Sequence, residues 1–95
     1  MSSDDLQPWE FELVGALVRD GRNVRADATY NRIERLISRV LLRVADGPDG
    51  WSVLYQDPQD GRYWELDYPQ GELQGGGPPR LRLLNAGELQ ERYSI

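Results

Sequence analysis

The chain has 95 residues and a net charge of −5, and 39% of its residues are hydrophobic, which fits one small globular domain. It contains neither Cys nor His, which excludes disulfides, thiolate or histidine-based catalysis and the usual zinc sites. The acidic excess disfavours nucleic-acid binding through overall charge and favours a basic partner. Because no apolar run is long enough for a membrane span and the first ten residues do not resemble a signal peptide, we expect a cytoplasmic protein.

The N-terminal region begins with a polar stretch, and we expect residues 1–9 to form a flexible tail and residues 10–95 a single domain. Strands are predicted at residues 11–18 and 22–26. Between them, Asp20-Gly21 is typical of a type I′ hairpin turn, which needs a positive φ at both central residues.

A helix is predicted from Asp27 to Ala45 because apolar residues recur there at helical spacing. Asp27 is a suitable N-cap, Gly47 is expected to form a left-handed C-cap, and Pro48 prevents continuation. The apolar residues of this pattern are Ile33, Leu36, Ile37, Val40, Leu41 and Val44.

Four arginines form a second stripe on the same predicted helix, namely Arg32, Arg35, Arg39 and Arg43. They are either a docking strip for phosphates or carboxylates, or a solvated helix face whose side-chain stems cover apolar edges. The pattern favours the solvated face.

A second hairpin is predicted over residues 50–68, with its turn at residues 57–61. Trp51 and Trp64 are expected in the core. On the second strand, alternation turns Trp64 and Leu66 inward and Glu65 and Asp67 towards water.

The chain is predicted to end with a strand over residues 80–84, where Leu81 and Leu83 share a face, and a short helix over residues 86–93. Asn85 and Glu88 have the spacing of a capping box. The element order ββ-α-ββ-β-α predicts an α+β two-layer sandwich, with an antiparallel sheet of about five strands and one main amphipathic helix on one face.

Residues 46–77 carry seven acidic residues and one arginine. The segment is either an acidic face for a basic protein or an ordinary set of polar turns and strand surfaces. Glu65 and Asp67 could form a carboxylate pair or a cation site, although such spacing is common. Gly75–Gly77 could cradle a phosphate, but the following prolines lack donors, which favours a tight structural loop.

The pattern DP-x-DGR-x-WEL-x-YP at residues 57–69, followed by GGGPP-x-L at residues 75–81, resembles immunity protein family 27 of bacterial polymorphic toxin systems. The resemblance extends over about residues 10–93 and includes residues 12–15 as well as Asp27, Arg32, Ile33 and Leu36. It leads us to expect a His immediately before the three glycines. Gln74 stands there instead, which puts the binding role of that position in doubt.

The resemblance implies a protein that binds and neutralises a cognate toxin domain in the producing bacterial cell, a basic nuclease being one candidate. We therefore expect no enzymatic activity, no cofactor or metal, no direct contact with nucleic acid or membrane, and a monomer or weak dimer. The alternatives are a non-catalytic adaptor or self-associating module, pairing through residues 80–84 or the arginine stripe, and a carboxylate-based hydrolase using Glu65, Asp67 and a tyrosine.

The expected partner-binding residues lie on the second hairpin and the loop after it: Asp57, Asp60, Arg62, Tyr63, Glu65, Asp67, Tyr68, Glu72 and Gln74. The residues expected to shape the loops are Gly61, Pro69, Gly75, Gly76, Gly77, Pro78 and Pro79.

Overall fold

The computed structural model describes residues 5–69 and 77–95. The elements in chain order are β1 (Glu12–Val14), β2 (Leu17–Asp20), β3 (Asn23–Ala26), α1 (Ala28–Arg35), a π-helical turn (Leu36–Val40), β4 (Leu42–Asp46), β5 (Val53–Gln56), β6 (Tyr63–Asp67), β7 (Arg80–Leu83) and α2 (Ala86–Tyr93).

Five strands form one antiparallel sheet in the order β1-β7-β6-β5-β4, so that β1 and β4 are its edges. The remaining strands, β2 and β3, pair with each other in a separate hairpin. The predicted α+β class, the five-stranded antiparallel sheet and the main helix packed on one face are confirmed.

Helix α1 and the π-helical turn cover one face of the sheet. Ile33 and Leu36 are fully buried there, over Trp64 and Leu81 of the central strands. The expected N-cap forms, because the Asp27 carboxylate accepts a hydrogen bond from the Tyr30 backbone N–H at 2.7 Å. This side of the sheet holds the larger core cluster.

Helix α2 packs on the opposite face, which Leu54 of β5 reaches because side chains alternate along a strand. Leu54 is buried with Leu84 and Leu89 in a second, smaller cluster. The predicted capping box is confirmed, with the Asn85 side chain bound to the Glu88 N–H and the Glu88 side chain bound to the Asn85 N–H. The sheet therefore has a helix on each side.

The strand predicted at residues 11–18 is divided between the two sheets. The division falls after Gly15, whose N–H donates to the Pro79 carbonyl at 2.9 Å and whose absent Cβ would stand 3.0 Å from that oxygen. The predicted type I′ turn is also wrong. Gly21, with φ of +64°, is the first central residue between Asp20 and Asn23, and Arg22 does not take a positive φ.

The predicted helix over residues 27–45 is wrong in its C-terminal part, since residues 42–46 are the edge strand β4. Pairing with β5 overrides the helical spacing there and leaves Val44 exposed. The expected left-handed cap at Gly47 does not form, and Gly50 takes the positive φ instead, at +79°. The arginine stripe is dispersed as well, because Arg43 lies on β4 and pairs with Asp46.

Residues 5–9 pack on the body, although they were expected to belong to a flexible tail. Leu6 is only 5% exposed and belongs to the larger core cluster. The Arg62 guanidinium donates to the backbone carbonyls of Gln7 and Glu10, each at 3.0 Å. The segment is therefore anchored by both apolar burial and charged hydrogen bonds.

Candidate partner-binding surface

The turn between β5 and β6 is organised around Asp57, a residue expected to bind a partner. Asp57 is 1% exposed, and its carboxylate accepts the Gln59 N–H at 2.9 Å. The Gly61 N–H donates to the Asp57 carbonyl at 2.8 Å, and Gly61 takes a φ of +80°, which glycine adopts without strain. Asp57 therefore stabilises the turn from inside and offers no surface to a partner.

Asp60 and Arg62 form a pair at the tip of this turn. The Arg62 Nε donates to the Asp60 carboxylate at 2.6 Å, and its guanidinium lies 5.1 Å from the centre of the Trp64 ring. Burial acts to raise the pKa of Asp60, but the backbone N–H and the guanidinium of Arg62 together hold that pKa below its usual value. Asp60 remains partly exposed, whereas Arg62 faces mainly inward.

Glu65 lies on the α2 side of the sheet and is 1% exposed, so the expectation that it faces water is wrong. Its carboxylate accepts hydrogen bonds from Arg82 at 3.2 Å, Arg92 at 2.9 Å and the Tyr93 hydroxyl at 2.6 Å. Burial and the hydrogen bond to this carboxylate raise the pKa of Tyr93 well above its usual value. Glu65 thus ties α2 to the sheet, because Arg92 and Tyr93 belong to α2. The strand register places Arg82 of β7 directly opposite Glu65.

Asp67 also faces the α2 side, where it is half-buried. The Arg80 guanidinium binds it through two hydrogen bonds, of 2.9 and 2.5 Å. This side-chain hydrogen bond raises the pKa of Arg80. The pair joins β6 to β7, so the charge of Asp67 is neutralised within the fold.

The two tyrosines expected at the interface differ in accessibility. Tyr63 is half-buried and packs against the cluster of Leu54 and Leu89. Tyr68 is exposed, and partial burial, followed by the electrostatic effect of Tyr30 and then Glu34, raises its pKa. Tyr68 is therefore the accessible aromatic of the pair.

The loop after β6 is described only at its two ends. Pro69 is exposed, Gly77 takes a φ of +68°, Pro78 is half-buried, and the buried Pro79 offers its carbonyl to Gly15. The other residues expected in this loop, Glu72, Gln74, Gly75 and Gly76, lie outside the described residues. The C-terminal end of the loop is therefore bound to the chain just after β1 through the hydrogen bond between Gly15 and Pro79.

Three exposed aromatic residues were not among the expected partner-binding residues. Trp9 is 74%, Phe11 70% and Trp51 78% exposed. The expectation that Trp51 is in the core is wrong because β5 begins only at Val53, so that Trp51 belongs to the preceding turn. A signal was available, since Trp51 directly follows Pro48-Asp49-Gly50, a turn sequence.

Among the described residues that were expected to bind a partner, Asp57 and Glu65 are buried and Asp67 is paired with Arg80. Asp60 and Tyr68 lie at the surface. In the described part of the chain, no cluster of three or more acidic residues could hold a metal ion. None of the described helices is long and apolar enough to cross a bilayer.

The chain was compared with models of known protein families. The model of the Immunity protein 27 family matches residues 19–85, which is more than half of the chain. No curated protein and no solved structure matches. The matched range includes the turn at Asp57, the β6 strand and the loop that follows it, so the resemblance seen in the sequence is confirmed. The chain therefore belongs to the Immunity protein 27 family and serves an immunity function.

Proposed function

We propose that this chain binds and neutralises a cognate toxin domain in the cytoplasm of the bacterial cell that produces the toxin. Membership of the Immunity protein 27 family over residues 19–85 is the observation that carries the proposal. The chain acts by binding and not by catalysis, which is consistent with its lack of His and Cys.

The proposed contact surface contains Asp60 and Tyr68, together with the loop between β6 and β7. Both side chains are accessible and are presented by the ends of the well-buried strand β6. A net charge of −5 speeds the capture of a basic domain, such as a nuclease, through electrostatic steering.

The test begins with capture of the partner by the tagged chain from a lysate of its native cell at low salt, read by mass spectrometry. We expect one dominant partner, the C-terminal domain of a large secreted protein. That domain is then expressed in a host bacterium with and without this chain, and growth is measured. Rescue of growth supports the proposal. Capture of self-copies alone, or growth arrest that this chain does not relieve, would contradict it.

The proposed surface is tested separately with purified proteins. We expect Tyr68→Ala and Asp60→Ala to weaken the complex at least tenfold, while Glu91→Ala, an exposed residue of α2, leaves it unchanged. The association rate should fall steeply as salt is added. A rate that is independent of salt contradicts steering but leaves neutralisation standing.

A further inference from the structure

The hairpin β2–β3 is exposed to an unusual degree for paired strands. Every residue of β2 is exposed, and in β3 only Ala26 is half-buried. Leu17, Val18 and Val24 are among the exposed apolar residues, at 43–55%. A two-stranded hairpin without a covered face is marginally stable in water. Exposed apolar side chains on such a hairpin indicate a contact surface.

One face of the hairpin combines apolar and cationic side chains. Arg19 stands opposite Val24 and Leu17 opposite Ala26, so the four share a face. Arg22 is the second central residue of the turn at the tip. The opposite face differs, because there the Arg25 guanidinium lies 3.7 Å from the Asp20 carboxylate.

The charge of the hairpin contrasts with the charge of the body. It holds three arginines and one aspartate, which gives +2 in a chain of net charge −5 and leaves −7 for the remainder. No carboxylate of the described residues pairs with Arg19 or Arg22. By contrast, Arg80 and Arg82 of the sheet and Arg92 of α2 each pair with a carboxylate. The hairpin therefore carries guanidinium groups that are available to a partner.

The base of the hairpin is held firmly. The Asp27 carboxylate accepts the Ala16 N–H at 3.2 Å while it caps α1, and the Asp27 N–H donates to the Ala16 carbonyl at 2.9 Å. Gly15, just before the hairpin, is in close contact with Pro79 and Tyr30. A loop or arm that is fixed at its base loses less conformational freedom on binding, which favours affinity.

We propose that β2–β3 is a docking arm that places Arg19 and Arg22 into an acidic cleft with an apolar rim on a partner protein. The inference deepens the proposed function, on which it rests for the identity of that partner as the toxin domain. Guanidinium groups bind carboxylates through paired hydrogen bonds, and Leu17 and Val24 cover the rim. A partner with a basic surface around an acidic cleft fits both the acidic body and the basic arm.

A protein partner fits these observations better than a nucleic acid does. The body of net charge −7 repels phosphates, and phosphate binding requires a basic surface larger than one hairpin. Leu17 and Val24 also gain nothing beside a phosphate backbone, whereas an apolar rim removes them from water.

The arm is tested without the toxin domain, by nuclear magnetic resonance of the ¹⁵N-labelled full chain at low salt. The probe is an acidic peptide of alternating Glu and Phe, and a DNA duplex of equal charge is the comparison. We expect the peptide to shift amide signals of residues 17–26 more strongly than the duplex does. Larger shifts with the duplex would overturn the proposal in favour of nucleic acid. Shifts absent from residues 17–26, or shifts there that grow with protein concentration alone, would also overturn it, the latter in favour of a second copy.

Matched substitutions separate the arm from overall charge. Arg19→Glu should weaken peptide binding at least tenfold, and Arg19→Lys should retain most of it. Arg39→Glu, which changes an exposed arginine of the π-helical turn by the same charge, should alter binding less than twofold. Unchanged signals outside the hairpin in the free variants show that they are folded. Equal losses of peptide binding for Arg19→Glu and Arg39→Glu would overturn the docking-arm proposal.

The toxin domain then separates this inference from the proposed function. If the domain is inhibited equally by the wild-type chain and by Arg19→Glu, the arm is wrong and the proposed function stands. If no toxin domain is captured but the acidic peptide binds residues 17–26, the proposed function fails and the arm stands as a contact for another acidic protein.

Discussion

The five-stranded sheet and the β2–β3 hairpin use the same residue type in opposite ways. In the sheet, Arg80 and Arg82 pair with the largely buried carboxylates of Asp67 and Glu65, and so join β7 to β6. In the hairpin, Arg19 and Arg22 meet no carboxylate of the described residues. The difference shows that an arginine is structural where register and burial bring an acid to it, and is available for binding where the strand stands alone.

The largest expected contrast concerns apolar burial. Leu36→Ala removes a fully buried side chain of the π-helical turn and should lower the free energy of unfolding by about 2–5 kcal/mol. The same change at the half-exposed Leu17 of the hairpin should cost less than about 0.5 kcal/mol. Urea denaturation of both variants measures the difference. Similar losses would show that the hairpin is part of the folded core.

The next largest effect on stability is expected for Glu65, the buried carboxylate of the sheet. Glu65→Gln keeps the shape of the side chain but removes the charge that Arg82, Arg92 and Tyr93 share. Because Arg82 and Arg92 retain partial contact with water, we expect a loss of about 2–3 kcal/mol in the free energy of unfolding, smaller than for a fully buried pair. Glu91→Gln on the exposed side of α2 is the control and should be near neutral. Thermal unfolding of Glu65→Gln that matched this control would contradict the assigned role.

A smaller effect is expected at the N-terminal anchor. Arg62→Ala removes the donors to the carbonyls of Gln7 and Glu10 and should destabilise the fold by about 1–3 kcal/mol. Hydrogen exchange should become faster in residues 7–10 while the exchange of β6 changes less. Arg39→Ala, an exposed arginine outside this contact, should leave both unchanged. Protection of residues 7–10 that survives Arg62→Ala would show that Leu6 alone holds the segment.

The smallest effect is a dependence on pH. The Asp49 carboxylate accepts hydrogen bonds from the Ser52 and Trp51 N–H groups and from the Ser52 hydroxyl, which lower its pKa from 3.8 to about 2. A lowered pKa in the folded state contributes stability above the unfolded value, and that contribution is lost as pH falls. The difference in stability between the wild-type chain and Asp49→Ala should therefore be constant near neutral pH and shrink between pH 3.8 and about 2. A constant difference across this range, measured by urea denaturation, would contradict the hydrogen-bonded turn.

The elements that the sequence predicted correctly are those with a local cause. The N-cap at Asp27 and the capping box of Asn85 and Glu88 depend on side chains within three residues of one another. Alternation along β6 correctly placed Trp64 and Leu66 in the core. The motifs at residues 57–69 and 75–81, taken together, indicated the family that the family comparison confirms.

The errors have a shared cause, which is competition from distant parts of the chain. Residues 42–46 have helical spacing, yet they form a strand because β5 offers a partner for their backbone. Glu65 follows the polar alternation of a surface strand, yet it is buried because Arg82 and α2 meet it from other parts of the chain. Trp51 has a large apolar side chain that is typical of a core, yet it is exposed because it precedes the first residue of β5.

The sequence by itself determined the class of fold, the N-caps of both helices, the inward face of β6 and the immunity family, since each depends on short-range pattern or on sequence motifs. Only the tertiary structure decided which charges remain available. Arginines are identical in the sequence, and their pairing depends on strand register and on which helix lies over them. For that reason, the hairpin residues Arg19 and Arg22 could be identified as candidates for binding only after the partners of the other arginines were known.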